Sequence, residues 1–389
     1  MRLKTLHVAD IHIGKNRKYL DYLEQQGWML DAILKQVEEA CDDPAIDLVH
    51  FVVAGDLFEK NEDTRRSEFV LFLTRVYQPL CRLHRKYTKL HTFFIDGNHD
   101  RQPFVKEPSV LSPLFGMVPK NWHMALVEPK YVEEHSFLLL PFKEYSTADF
   151  SAFIRKYTPT FIAAHECLAR MKTDVGFSPP RDQDKYAEVN DFLPESKVVS
   201  MFLGDIHRCQ AMDDDGVSWY AGSPVTLDFG HRLPKGVLHH TFVKGTAGWQ
   251  RDGAPKLHTL EDGRIRCHRS LGKILDTDDI PWDLVTNHKA HYLSLIVSPD
   301  VFKEISDKEP LFFSSPHVDF EFDKRIQNTK TAGESAVSSL ESDEDLTTDL
   351  SDDYYELAIS EWMEINLTSF DASLKEDFLK RVFTNFVGK

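Results

Sequence analysis

The sequence predicts an α/β fold, a sheet covered by helices on its faces, and three observations carry that expectation. Short apolar runs at 2–9, 47–53, 90–95, 160–164 and 198–203 each lead closely into polar residues. Helix-length amphipathic stretches at 19–41 and 64–88 separate the first three of these runs. Strand, helix and strand thus alternate along the chain, the order of a sheet with helices packed on it. Ligands of such sheets sit beyond the carboxyl ends of the strands.

The runs RLKTLHVA, DLVHFVV, LHTFFI, TFIAA and VVSMFL cluster apolar β-formers as buried strands do. DVGFSPPRDQDKYAEVNDFLPE, at 174–195, reads as a loop with a short helix, and VSWYAG and GVLHHTFV read as strands after it. Residues 256–328 alternate through HYLSLIV and HVDFEF around a helix-like PDVFKEISDK, which suits a small α+β domain of its own. TKTAGESAVSSLESDEDLTTDLSDD holds Ser, Thr and acid with little to bury, so it reads as a linker or as disordered. Residues 354–387 regain amphipathic character in two short helices, with Ser369, Asp371 and Ser373 as cap candidates for the second. Two such helices on an acidic tether form little core alone and read as a docking element. The expected organisation is 1–250, 251–330, an acidic linker at 331–352 and a helical segment at 353–389.

Composition narrows the function less than position does. The 389 residues can bury a real core, and no apolar run reaches the length of a membrane span. The start, MRLKTLHVADIH, lacks the apolar stretch of a signal peptide, and the five cysteines include no CxxC pair, so a soluble cytoplasmic protein is expected. A net charge of −16 argues against a nucleic-acid partner only at first sight. Nine of the acids lie in 331–356, which has no Lys or Arg, and a metal-binding carboxylate cluster uses more. There is no GxGxxG and no GxxxxGK[ST], so the chain does not look like a nucleotide-binding one by itself.

The chemistry lies in the residues just after each strand. Asp10-Ile11-His12 comes after the first, Gly55-Asp56 after the second, and Gly97-Asn98-His99-Asp100 after the third. His165 comes after the fourth and Gly204-Asp205-Ile206-His207 after the fifth. Each piece alone is commonplace, as a solvated strand end, a turn or a core histidine. Five donor clusters in order, each at a strand's carboxyl end, point instead to one metal pocket. Two divalent cations roughly 3.5–4 Å apart need a bridging carboxylate with N and O donors around each. Mixed imidazole and carboxylate ligands suit Mn²⁺, Fe²⁺ or Zn²⁺ better than Mg²⁺. The DxH spacing is expected to put two donors on one face of an extended chain, and the glycines at 55, 97 and 204 to allow close backbone approach. His239-His240 reads as strand filler with one ring on each face, and no spacing makes a thiolate site of Cys167 and Cys209. Basic groups at 15–18 and 65–66 come after ligand loops and are candidates for phosphate-backbone contacts.

DIH, GDLF, GNHD, a lone His and GDIH, in this order, resemble the calcineurin-like metallophosphoesterases. GDLFEKNEDTRR departs from the GDxxDRG of that superfamily's protein phosphatases. GDLF with GNHD, then LGDIHRCQ and YAGSPVTLDFG, is similar to the SbcD-type nuclease subunit of the DNA double-strand-break repair complex, the counterpart of the meiotic-recombination-eleven protein. The motifs carry the match to about residue 245, and beyond that it rests on layout. The resemblance implies a sandwich of two sheets flanked by helices, a small capping domain, and C-terminal helices that dock on an SMC-like ATPase of the SbcC type. It implies a homodimer and, for so compact and divergent a version, a bacteriophage-encoded enzyme working in the host cytoplasm. It implies that Asp10, His12, Asp56 and His207 hold one Mn²⁺, with Mg²⁺ the alternative. Asp56 would bridge to a second ion held by Asn98, His165 and Asp205, and His99 would be the non-ligand histidine that meets the phosphate. Asp205 stands where the family usually has His, which favours a harder ion and faster loss of the anionic product. The implied activity is a DNA exonuclease and endonuclease in end processing, repair or recombination. A free-standing phosphoesterase on nucleotides or phosphoproteins and a non-catalytic scaffold for the ATPase are the alternatives.

Overall fold

The computed structural model describes residues 1–60, 64–101, 109–114, 117–174, 186–194, 196–231, 234–260 and 262–322. The acidic linker and the C-terminal helical segment expected from the sequence lie outside these residues, as does most of the 174–195 loop. The chain divides after Ile265 into two compact units, each taken by itself below.

The first unit begins with β1 (Arg2–Val8), α1 (Tyr22–Asp42), β2 (Leu48–Ala54), α2 (Arg66–Phe72), α3 (Gln78–Lys86), β3 (Leu90–Ile95) and β4 (Trp122–Ala125). It continues through β5 (Lys130–Val132), β6 (Phe137–Leu140), α4 (Thr147–Tyr157), β7 (Phe161–His165) and α5 (Val189–Phe192). Then come β8 (Ser200–Gly204), β9 (Gln210–Ala211), β10 (Ser218–Tyr220), β11 (Val237–Gly245), β12 (Gly248–Arg251) and β13 (Lys256–His258). The long amphipathic stretch at 64–88 is α2 and α3 joined by a π-helical turn, Leu73–Tyr77. Pro79, near the start of α3, has no N–H to give the carbonyl one turn back, and a widened turn accommodates its ring.

Two sheets form a sandwich. The first has the order β12-β11-β1-β2-β3-β4 with β13 also on β11, and β1 to β4 run parallel. The second has the order β5-β6-β7-β8-β10-β9, with β6, β7 and β8 parallel. Alternation along each strand separates two layers of core. In β7, Phe161 and Ala163 face the other sheet beside Phe93, Phe137, Phe202 and Phe242. Ile162 and Ala164 of the same strand face Phe150 and Ile154 of α4 and Phe192 of α5. Helix α1 lies on β2 and α3 on β3, across the first sheet's other face. The strands buried on both sides therefore read as continuous apolar runs. His239 and His240 do take opposite faces: His239 bonds Gln36 of α1 at 2.9 Å, while His240 lies against His7 and Phe202.

The sequence placed a boundary between residues 250 and 251, but β12 and β13 both pair with β11 and the first unit runs on to Ile265. In the second unit, β14 (Cys267–Ile274), α6 (Trp282–Thr286), β15 (His291–Val297), α7 (Pro299–Lys308) and β16 (Val318–Phe322) form a parallel three-stranded sheet ordered β14-β15-β16. Its core is Ile274, Leu293, Leu295, Val297, Val301, Ile305 and Phe312. No helix among the described residues is long and apolar enough to cross a membrane.

Candidate metal centre

Five loops leave the carboxyl ends of β1, β2, β3, β7 and β8, and their polar residues meet. The first sheet supplies Asp10, His12, Asp56, Asn98 and His99; the second supplies His165, Asp205 and His207. Backbone bonds fix the first loops on each other: Asp10 N–H donates to Gly55 O at 3.1 Å and His12 N–H to Asp56 O at 3.0 Å. Asp100 is fully buried and accepts from the N–H groups of Leu57, Phe58 and Gly97 at 3.2, 2.9 and 2.9 Å. It ties the loop after β2 to the loop after β3, a structural task.

The extended backbone expected for DxH does not occur. Strand β1 ends at Val8, and Asp10, His12, Asp56 and Asp205 all adopt left-handed backbone, with φ of 53°, 51°, 51° and 91°. Tight turns, not the alternation of an extended chain, aim these side chains. A non-glycine residue there costs on the order of 1–3 kcal/mol, which surrounding structure must offset. The glycines have a steric task as well. A methyl group on Gly97 would overlap the Asp56 carboxylate, and one on Gly204 would overlap the Ala54 carbonyl and the His165 ring.

The donor atoms come close. His12 Nε2 and His207 Nε2 lie 3.1 Å apart, and His12 Nε2 lies 3.6 Å from Asp56 Oδ2. His165 Nε2 is 3.0 Å from Asn98 Oδ1, 3.4 Å from Asp56 Oδ1 and 3.7 Å from Asp205 Oδ1. Asp10 Oδ1 accepts from Asp205 N–H at 3.0 Å, while its Oδ2 is buried with no hydrogen-bond partner. His99 N–H donates to Asp56 Oδ1 at 3.0 Å, and its ring stands edge-on to His12. Three overlapping sets, Asp10–His12–His207, Asp10–Asp56–His165 and His12–Asp56–His99, can each hold an ion.

The outer contacts orient these rings. His165 Nδ1–H donates to Ala54 O at 2.7 Å, so a neutral ring turns its Nε2 lone pair toward the oxygens of Asn98, Asp56 and Asp205. Acceptor would then face acceptor, an arrangement a cation reconciles. His12 Nδ1 meets Glu59 Oε2 at 2.9 Å, and His207 Nδ1 meets His231 Nε2 at 3.1 Å. His231 Nδ1 accepts from Leu227 N–H at 3.1 Å, so its own proton lies on Nε2 and points at His207 Nδ1. The Nε2 atoms of His12 and His207 converge on one point, where a cation would take the place of the proton between them. Cys167 Sγ–H donates to Asp205 Oδ2 at 2.6 Å, and burial pushes this thiol up.

Burial opposes charge on His165 and His12, yet Asp56 raises the first and Glu59 with Asp56 the second above the ordinary imidazole value, so without an ion protons stand where cations would. Burial pushes Asp10 up to about 7, with Asp56 and Asp205 adding to the rise against the pull of His165. Burial also opposes charge on Asp56, but His165 and His12 hold it below the usual carboxylate range. Burial and the neighbouring His12 push His207 down to about 2, leaving it neutral as a metal ligand must be. Carboxylates crowded in a dry pocket repel one another, and divalent cations remove that repulsion. The residues present fit a metal centre.

The calcineurin-like phosphoesterase family matches over residues 3–237. The chain belongs to this family. A search of curated proteins finds no match. As a calcineurin-like phosphoesterase, the protein is a metal-dependent hydrolase of phosphoesters, and the match ends at Val237, the first residue of β11.

All eight residues singled out in the sequence stand in this one pocket of the phosphoesterase. Reasoning on the sequence missed Glu59 and His231, which hold His12 and His207 from behind; no spacing rule marks either. The basic residues after the first loop are already engaged. Lys15 pairs with Glu59 at 3.0 Å, Arg17 with the buried Glu68 at 2.7 Å, and Lys18 lies over Tyr19 and Phe229.

Proposed function

We propose that this phosphoesterase is a Mn²⁺-dependent DNA exonuclease and endonuclease that works with an SMC-like ATPase in DNA end processing. The observation that carries the hydrolytic part is the meeting of donors from two sheets at one point, 3.1 Å between His12 and His207 and 3.0 Å between His165 and Asn98. Support for DNA as substrate comes from the run LGDIHRCQ through YAGSPVTLDFG, which is similar to that of the SbcD-type nucleases.

In this reading Asp10, His12, Asp56 and His207 hold one ion, and Asp56, Asn98, His165 and Asp205 the other. When bound, the pair of cations neutralises the scissile phosphate and lowers the pKa of water toward neutral, so that hydroxide is available. The protein's own groups do the rest. Asp56 sits between the two halves of the set and fixes their spacing through its bonds to the His12 and His99 loops. His99 Nδ1–H donates to the Glu59 carbonyl, which sets the ring; as imidazolium it would give its Nε2 proton to the departing 3′ oxygen and be left neutral with Nδ1–H still in place. Glu59 thereby positions two histidines, one through its carboxylate and one through its backbone. The residues of 353–389 would dock the ATPase, and a second copy of the chain would complete a homodimer.

The test incubates the purified chain and Mn²⁺ with end-labelled duplex DNA and, separately, with para-nitrophenyl phosphate. Shortened duplex is expected. Hydrolysis of the small ester with intact duplex would leave a free-standing phosphoesterase instead.

A further inference from the structure

Four histidines gather at the other end of the first sheet, near the starts of its parallel strands. His50 of β2 and His91 of β3 are cross-strand partners, and His123 of β4 pairs with Phe93, which shares a face with His91. His135 comes from the turn Glu133–His135 between β5 and β6 of the second sheet. The rings lie along the rim of the core between the sheets, with His50 against Phe93, Phe137 and Phe161. From His91 to the end of β3 the strand runs about 13 Å, so this cluster is separate from the catalytic pocket.

The rings are close. Nitrogen atoms of His91, His123 and His135 lie within 4.8 Å of one another. The His91 and His135 centroids are 4.1 Å apart, and His91 stacks on His123 at 5.8 Å. His91 Nδ1, His123 Nε2 and His135 Nε2 are buried without any hydrogen-bond partner. Packing alone would be served by phenylalanine, since each stranded nitrogen costs about 1–3 kcal/mol. His50 Nε2 lies 3.2 Å from His135 Nδ1. A proton there leaves a lone pair on His135 Nε2 and fixes the ring, as the outer partner of a metal-bound histidine does. The exposed Glu134 carboxylate acts on all three rings.

We propose that His91, His123 and His135 form a second cation site, for one Zn²⁺ ion, with Glu134 beside the fourth position and His50 orienting His135. Three imidazoles without a bridging carboxylate suit zinc and not the oxygen-loving Mn²⁺ or Mg²⁺. Burial holds all three histidines down at about 4, so they are neutral at physiological pH and ready to ligate. The site joins β3 and β4 of one sheet to the β5–β6 turn of the other, a structural role.

The experiment uses the full chain stripped of metal and carrying Asp10→Asn with Asp56→Asn, which together break every donor set of the catalytic pocket. Equilibrium dialysis against Zn²⁺ should find one tightly bound equivalent, and X-ray absorption a shell containing three imidazoles. Adding His91→Asn, His123→Asn or His135→Asn should each remove that equivalent. In the otherwise native chain these three changes should leave Mn²⁺-dependent phosphoester hydrolysis unchanged. No zinc bound to the chain carrying Asp10→Asn and Asp56→Asn, or a shell without the imidazole set, overturns the proposal even if a histidine variant fails to fold.

Discussion

His12 and His207 meet nitrogen to nitrogen, and each is steadied by a residue that never faces the substrate: Glu59 for one, His231 for the other. Removing such a support costs metal affinity before it costs anything else. His231→Ala is expected to weaken cation binding about 10–100-fold by calorimetry, with the fold intact by circular dichroism. His99→Ala should do the reverse, keeping its cations while cleavage falls about 10²–10⁴-fold; wild-type cleavage by that variant would remove His99 from the chemistry. The eight donor-type residues were legible because each is a chemistry-bearing side chain directly after an apolar strand. Glu59, His231 and Cys167 were not, because their role is to touch a ring nitrogen or an oxygen that only the tertiary fold brings near. Asp100 looks like a third donor of GNHD in the sequence, yet its oxygens are spent on the backbone of two loops.

At the scale of elements, the five motif-bearing strands were readable from their apolar runs, and the loops after them hold the surprises. Left-handed backbone at Asp10, His12, Asp56 and Asp205 falls on residue types that adopt it more readily than most, but Asp and His are common throughout the chain, so type alone does not mark which of them do. The tight approach at Gly204 gives a sharp expectation. Gly204→Ala drives a methyl group into the Ala54 carbonyl and the His165 ring, so β8 must shift away from the first sheet. A loss of several degrees in Tm together with weakened cation binding is expected, and an unchanged Tm would show the loop to be more pliant than its geometry. The break at Leu73–Tyr77 was hidden because the apolar pattern runs on across it; Pro79 was the visible clue. Which of the two sheets each strand joins was also hidden. Strands β1, β2, β3, β7 and β8 are all buried on both faces, and nothing local distinguishes partners.

For the whole molecule, the first unit carries an unusual load of buried imidazoles, and this sets its response to acid. Burial drives His7 down to about 3 and His84 to about 4, and holds His240 well below its ordinary value. Such rings bind protons more readily in the unfolded chain, so the stability they contribute is present above about pH 6.5 and is lost as pH falls toward their folded values. Going from pH 7.5 to pH 5 should cost about 2 kcal/mol for each such ring, seen as a falling urea midpoint. A flat profile over that window would mean the rings are wetter than the fold makes them. Deleting 331–389 tests the role proposed for the tail: metal-dependent hydrolysis should persist while co-purification with the ATPase is lost. The donors of the pocket, finally, arrive in two halves, three from the second sheet and five from the first. Neither sheet can slide on the other without pulling those halves apart, so chelators should loosen the sandwich at this rim ahead of global unfolding. Amide hydrogen exchange near Asp10 and Asp205 would then quicken on adding chelator and slow again on restoring a divalent cation, making ion supply a control on the protein's mechanical integrity as well as on its turnover.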